Sequence, residues 1–287
     1  MCRVISLLTL VTVLATQISS DNIDSLRLLA DSGDAHAQTE LALCFFRAVE
    51  VEQSIDSGLI WLRRAVVQNH STAQAILGGS YIKGERVPLD TIEGIRLIRL
   101  SAEQGDSIGL YNLATAYMRG DGVAQDSSEA LKWVRKSAEK GHAPAQYQLA
   151  TFYESGAFVK TDKKKAFKWF LAAANGGDPV AQYEVGFMYW QGNGVKKNGK
   201  KAARWLEAAA LNGERDAMLW LGLAQFRGKD MKQNKVSGLR WLMLAEAAGH
   251  PDASEWLQKS INIADRKTII KAEDLAYETR ISRETQE

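Results

Sequence analysis

The chain is poor in the residues that staple small domains, build sheets or make linkers. Of 287 residues only Cys2 and Cys44 are cysteine, too few for a disulfide framework. Four prolines and no low-complexity stretch leave no candidate linker dividing the chain. The β-branched runs that strands need are absent beyond the first residues. Charge of one sign is also lacking: 36 basic and 34 acidic residues give a net charge of +2, so nothing in the balance calls for a nucleic-acid partner.

A lattice fills the space these absences leave. Trp61, Trp133, Trp169, Trp205 and Trp241 share one column of a 36-residue period, and Leu97 takes the missing place. Small residues recur at Ala37, Ala73, Gly109, Ala145, Ala181, Ala217 and Ala253. Apolar residues follow at Leu41, Leu77, Leu113, Leu149, Val185 and Leu221, and aromatics at Phe45, Tyr81, Tyr117, Tyr153 and Tyr189. Ala37, Leu41 and Phe45 lie one helical turn apart and form a stripe. A second stripe follows in each unit, Ala130, Trp133 and Ser137 in one and Ala166, Trp169 and Ala173 in the next. Each unit is therefore expected to be two antiparallel helices that bury their faces on neighbouring units. Identical columns serve packing, whereas chemistry needs one asymmetric cluster, so the lattice points away from an enzyme.

The punctuation agrees. Gly33, Gly105, Gly141, Gly177, Gly213 and Gly249 stand where the second helix should end in a left-handed residue, with Asn69 the one substitute. Asp34, Asp106 and Asp178 are placed to cap the first helix, and Asp90, Asp126, Asp162, Asn198 and Asn234 the second. Asp90–Glu93 and Asp126–Glu129 have the spacing of a capping box. Gly84, Gly120, Gly156, Gly192 and Gly228 end the first helix. The first unit departs here, with Ala48-Val49-Glu50-Val51 in place of a glycine-rich turn.

Ala145-Gln146-Tyr147 through Gly177, with Gly120-Asp121-Gly122-Val123 in the unit before, resembles the Sel1-like repeat family, a relative of the tetratricopeptide repeats. The resemblance spans about residues 23–260. It implies an all-α superhelical solenoid of six 36-residue helix-turn-helix repeats with a concave, protein-binding face. It also implies roles such as envelope signalling, assembly or host contact. Cys44 alone sets the chain apart from the disulfide-stapled branch of that family.

The expected organisation is a signal peptide over 1–20, a half-repeat cap over 21–34, six repeats over 35–250, and capping helices with a polar tail over 251–287. Val4–Ala15 is almost wholly apolar, follows Arg3 and gives way to small polar residues, as an exported chain's leader does. It is too short for a membrane span. A periplasmic or secreted protein follows from this. Ile23, Leu26, Leu29 and Ala30 sit in second-helix columns and should close the N-terminal end. Ile261, Ile263, Ile269, Ile270, Ala272, Leu275 and Ala276 should form an amphipathic closing helix, with a frayed tail beyond Tyr277.

Catalytic motifs dissolve on inspection. Ser137-Ala138-Glu139-Lys140 matches an S-x-x-K pattern, yet Ser101, Ala173 and Ala209 fill the same column, and no S-D-N or K-T-G partner exists. Gly194-Val195-Lys196-Lys197-Asn198-Gly199-Lys200-Lys201 is one residue from a phosphate loop, but Lys replaces the Ser/Thr and no strand precedes it. His70, His142 and His250 share the loop column before the first helix, read as solvated cap residues and not as a metal site. No cofactor is expected.

Recognition residues remain. With tetratricopeptide-like geometry the first helix lines the concave groove, which nominates Arg119, Thr151, Phe187, Trp190, Phe226 and Arg227 for a protein or peptide partner. Off-consensus aromatics beside arginine are hot-spot chemistry. Lys163, Lys164, Lys196, Lys197 and Lys200 fall in successive turns and form a basic ridge suited to an anionic partner, against acid-rich residues 21–56. A peptidoglycan or glycan binder, with Phe187 and Trp190 stacking on sugars, and a weak penicillin-interacting enzyme acting through Ser137 are the alternatives.

Overall fold

The computed structural model describes residues 20–49, 51–228 and 231–284. Residues 1–19, most of the segment read as a signal peptide, lie outside them. Every regular element among the described residues is an α-helix. Six are first helices of repeats: α2 (Ala35–Arg47), α4 (Ser71–Lys83), α6 (Ser107–Arg119), α8 (Ala143–Ser155), α10 (Pro179–Gln191) and α12 (Arg215–Arg227). Six are second helices: α3 (Ile55–Val67), α5 (Thr91–Glu103), α7 (Ser127–Glu139), α9 (Lys163–Asn175), α11 (Gly199–Leu211) and α13 (Lys235–Ala247). α1 (Ser20–Asp31) precedes them, and α14 (Ala253–Ile261) and α15 (Arg266–Glu284) follow. The chain divides between Thr161 and Asp162 into two compact units.

Each helix ends where local chemistry ends it. Asp34, Asp106 and Asp178 accept from backbone N–H groups of the first turn, as do Asp90, Asp126, Asp162, Asn198 and Asn234. The capping boxes do not close. Glu93 instead grips Arg96, and Glu129 binds Lys132 and the Trp133 indole N–H. The N–H they would have taken is already used, since Asp90 donates to Tyr81 O and Asp126 to Tyr117 O. In the first repeat Ala48 adopts the left-handed conformation (φ 56°, ψ 38°) that glycine holds elsewhere.

Within a repeat the two helices touch through small residues. Gly78 meets Gly94, and Gly222 meets Gly238; a Cβ on Gly78 would stand 2.9 Å from Gly94 O, and one on Gly238 2.8 Å from Gly222 O. Between repeats a glutamine does the tying. Gln38 donates to Ala30 O at the end of α1 and accepts from Gln68 at the end of α3. Gln182 repeats this between Ala174 O and Asn212. One buried amide thus satisfies frayed helix ends on both sides.

The tryptophan column is not the deepest. Trp61, Trp133, Trp169 and Trp205 are half-buried, and only Trp241 is fully enclosed. The next column, Leu62, Ile98, Val134, Phe170, Leu206 and Leu242, forms the core floor. Cations lie over the exposed indole faces: Arg64 on Trp61, Lys136 on Trp133, Lys168 on Trp169.

The ends differ in detail from expectation. Ile23 and Ala30 are buried with Ala37, Leu41 and Cys44, but Leu29 is exposed. At the other end α15 packs on α13 and buries Ala272, while Ile263 and Ile270 face solvent. The helix also continues past Tyr277 to Glu284. No described helix is long and apolar enough to cross a membrane.

Candidate recognition site

Tyr183, Phe187 and Trp190 fall four and three residues apart on α10, so they share one face. Trp220, one repeat on in α12, enters between them. Its ring centroid lies 5.6 Å from Phe187 and 5.4 Å from Trp190, and Phe187 and Trp190 are themselves 5.4 Å apart. Tyr183 stacks on Phe187 at 5.9 Å and 28°. These are the offset and edge-on geometries that aromatic quadrupoles favour. The cluster opens into a recess of about 140 Å³ lined by Phe187, Trp190, Trp220, Leu223, Arg227 and Met231, among others.

The Trp190 indole N–H is shut off from solvent and has no acceptor, as is that of the enclosed Trp241; leaving such a donor unpaired costs about 1–3 kcal/mol. Burial pushes the Tyr183 phenol well above its ordinary value, and the carboxylates of Glu184, Asp216 and Glu214 push it further.

The nominated residues are distributed unevenly. Phe187, Trp190 and Arg227 come together on the recess. Phe226 does not: it is 4% exposed, in the core. α13 presses so close there that a Cβ on Gly238 would stand 2.6 Å from the Phe226 backbone nitrogen. Phe226 and Trp190 therefore do not project into one groove. Arg119 is exposed at the end of α6. Thr151 is half-buried and donates to Tyr147 O, a helix-internal bond; both belong to the other compact unit. Trp220 precedes Leu221 and so falls outside the groove positions that follow the Leu column. Its place outside the 36-residue tryptophan column is the signal that marks it.

The lysines are exposed in two adjoining turns, Lys163 and Lys164 opening α9 and Lys196, Lys197 and Lys200 around the start of α11. The turns touch at Gly194, where a Cβ would stand 2.1 Å from Lys163 O. Ser137 is fully buried and donates to Ser107 O at 2.6 Å, a packing role that leaves its hydroxyl no access to a substrate. The histidines stand at cap positions but are not fully solvated. His70 is the N-cap of α4, accepts from the Ala73 N–H and meets Thr39. Half-buried His142 is the N-cap of α8 and tilts against Tyr111, and His250 is 8% exposed and pairs with Asp216 at 2.9 Å.

The Sel1 repeat model matches residues 35–70, 71–106, 107–142, 143–178, 179–214 and 215–250. The chain belongs to the Sel1 repeat family. Members typically mediate protein–protein interaction, and such solenoids are generally non-catalytic. Among solved structures it is similar to a protective antigen of uropathogenic Escherichia coli with an SLR fold (28% identity, TM-score 0.71), covering 91% of this chain and 56% of the antigen. It thus spans little more than half of that protein. It is also similar to a Sel1 repeat protein from Oxalobacter formigenes (27% identity, TM-score 0.68), covering 79% of this chain and all of the other. No curated protein matches the chain.

Proposed function

We propose that this Sel1 repeat protein is a non-enzymatic adaptor that holds a protein or peptide segment against α10 and α12. The observation carrying the reading is the aromatic recess. Three rings from two repeats converge around a space of about 140 Å³. Buried aromatic anchors beside arginine supply most of the affinity in protein interfaces.

We further propose that the chain is exported and acts in a bacterial envelope or beyond it. The apolar Val4–Ala15 segment after Arg3 supports this. Cell fractionation with N-terminal sequencing should find a mature chain starting near Asp21; an intact Met1 on cytoplasmic protein refutes export. A photo-crosslinking residue at Phe187 should capture a partner in cells, whereas one at Val67, exposed on α3, should not. Equal capture at both positions refutes the recess as the binding site.

A further inference from the structure

The recess lies between charges of opposite sign. α12 carries Asp216 in its first turn and Arg227 in its last. The aromatic rings sit between them. Glu214 caps the start of α12, Asp216 stands in its first turn beside His250, and Glu184 follows Tyr183 on α10, so the acidic end has three carboxylates. At the other end Arg227 is exposed, lines the recess, and rests its guanidinium 4.7 Å above Trp256. That stacking holds the arginine in place, which lessens the entropy lost when it pairs.

The dimensions constrain the ligand. Asp216 to Arg227 spans about 16 Å at the helical rise, which an extended peptide covers in about five residues. A space of 140 Å³ is close to the roughly 150 Å³ cavity that accepts a benzene ring elsewhere. One phenyl or large aliphatic side chain fills it.

Resting on the peptide-binding reading above, we propose that the site selects a short extended peptide of fixed charge order. A basic residue lies at the Glu184–Asp216 end, a bulky apolar side chain in the recess, and an acidic residue at Arg227. The charges set the direction of the peptide, and the anchor supplies affinity.

Selection from a seven-residue random peptide library displayed on phage tests this with the whole chain. Enriched peptides should carry a base, an aromatic or large aliphatic residue, and an acid in that order, about two residues apart. With Arg227→Glu the acidic preference should vanish or reverse while the apolar anchor persists. Glu184→Lys should act likewise on the basic position. Arg227→Gln, which adds no new charge, should weaken binding of the selected peptides about tenfold. Anchored peptides without charge order, or an order indifferent to both charge changes, overturn this inference and leave the peptide-binding reading standing. Enrichment unaffected by Trp220→Ala overturns both.

Discussion

Trp190 and Trp220, in successive repeats, hold their rings 5.4 Å apart at 46°, and neither belongs to the tryptophan column that marks the repeats. Both are half-buried, with part of each ring left to solvent. Trp220→Ala should therefore reduce partner affinity by about 2 kcal/mol or more, as for a desolvated anchor, while lowering the thermal midpoint only slightly. Calorimetric titration beside thermal melting checks this. A protein that melts early with its residual folded fraction binding normally would make Trp220 a packing residue.

Trp241 and Trp169 occupy the same column at different depths. Trp241→Ala should cost about 3–5 kcal/mol, as for an enclosed aromatic. Trp169→Ala should cost clearly less, since its ring is partly wet beneath Lys168. Urea unfolding of both variants reads the difference, and equal losses would contradict the burial order. Because repeats couple chiefly to neighbours, hydrogen exchange in Trp241→Ala should rise first in α12 and α14.

Ala48 bears left-handed backbone strain of about 1 kcal/mol that glycine avoids. Ala48→Gly should stabilise the first repeat by about that amount, whereas Gly84→Ala at the equivalent position should destabilise the second. Denaturation midpoints moving in the same direction for both would refute the assignment.

His70 and His142 both titrate below the ordinary histidine value, chiefly because burial disfavours their charged forms. For His70 the neighbouring His36 adds to this, against the opposing pull of Asp106, Asp34 and Glu40. The unfolded chain thus binds protons that the native chain does not once pH falls through about 6.5. Stability should be full above that pH and decline below it. Unfolding measured between pH 7.5 and 5.5 checks the slope. His70→Asn, which retains a capping acceptor without the titration, should flatten it; a slope that steepens would sink the argument.

The repeat was legible because its spacing, its caps and its left-handed residues state the same register independently. Depth within the core was not. Trp169 and Phe170 are neighbours on one helical face, and sequence pattern alone favours the larger indole as the core residue. The fold instead encloses Phe170 and leaves Trp169 as a lid shared with a lysine. Phe226 and Trp190 share a column as well. Their different fates are decided by the following helix, which has Gly238 in one repeat and Ala202 in the other. Trp220 reaches the site only through stacking of successive first helices, a relation that no single repeat contains.

The glutamine ties have an uneven distribution with a mechanical consequence. Leu110 and Met218 take the place of Gln38, Gln74, Gln146 and Gln182 in the third and sixth repeats. α12 therefore leans on α11 through apolar side chains without the amide that laces α10 to α9. Apolar surfaces slide at little cost where directional bonds resist. α12 is also the helix that carries Trp220 and Arg227. One jaw of the recess is thus laced to the helix before it by a buried amide, and the other, with Met218 at that place, is not.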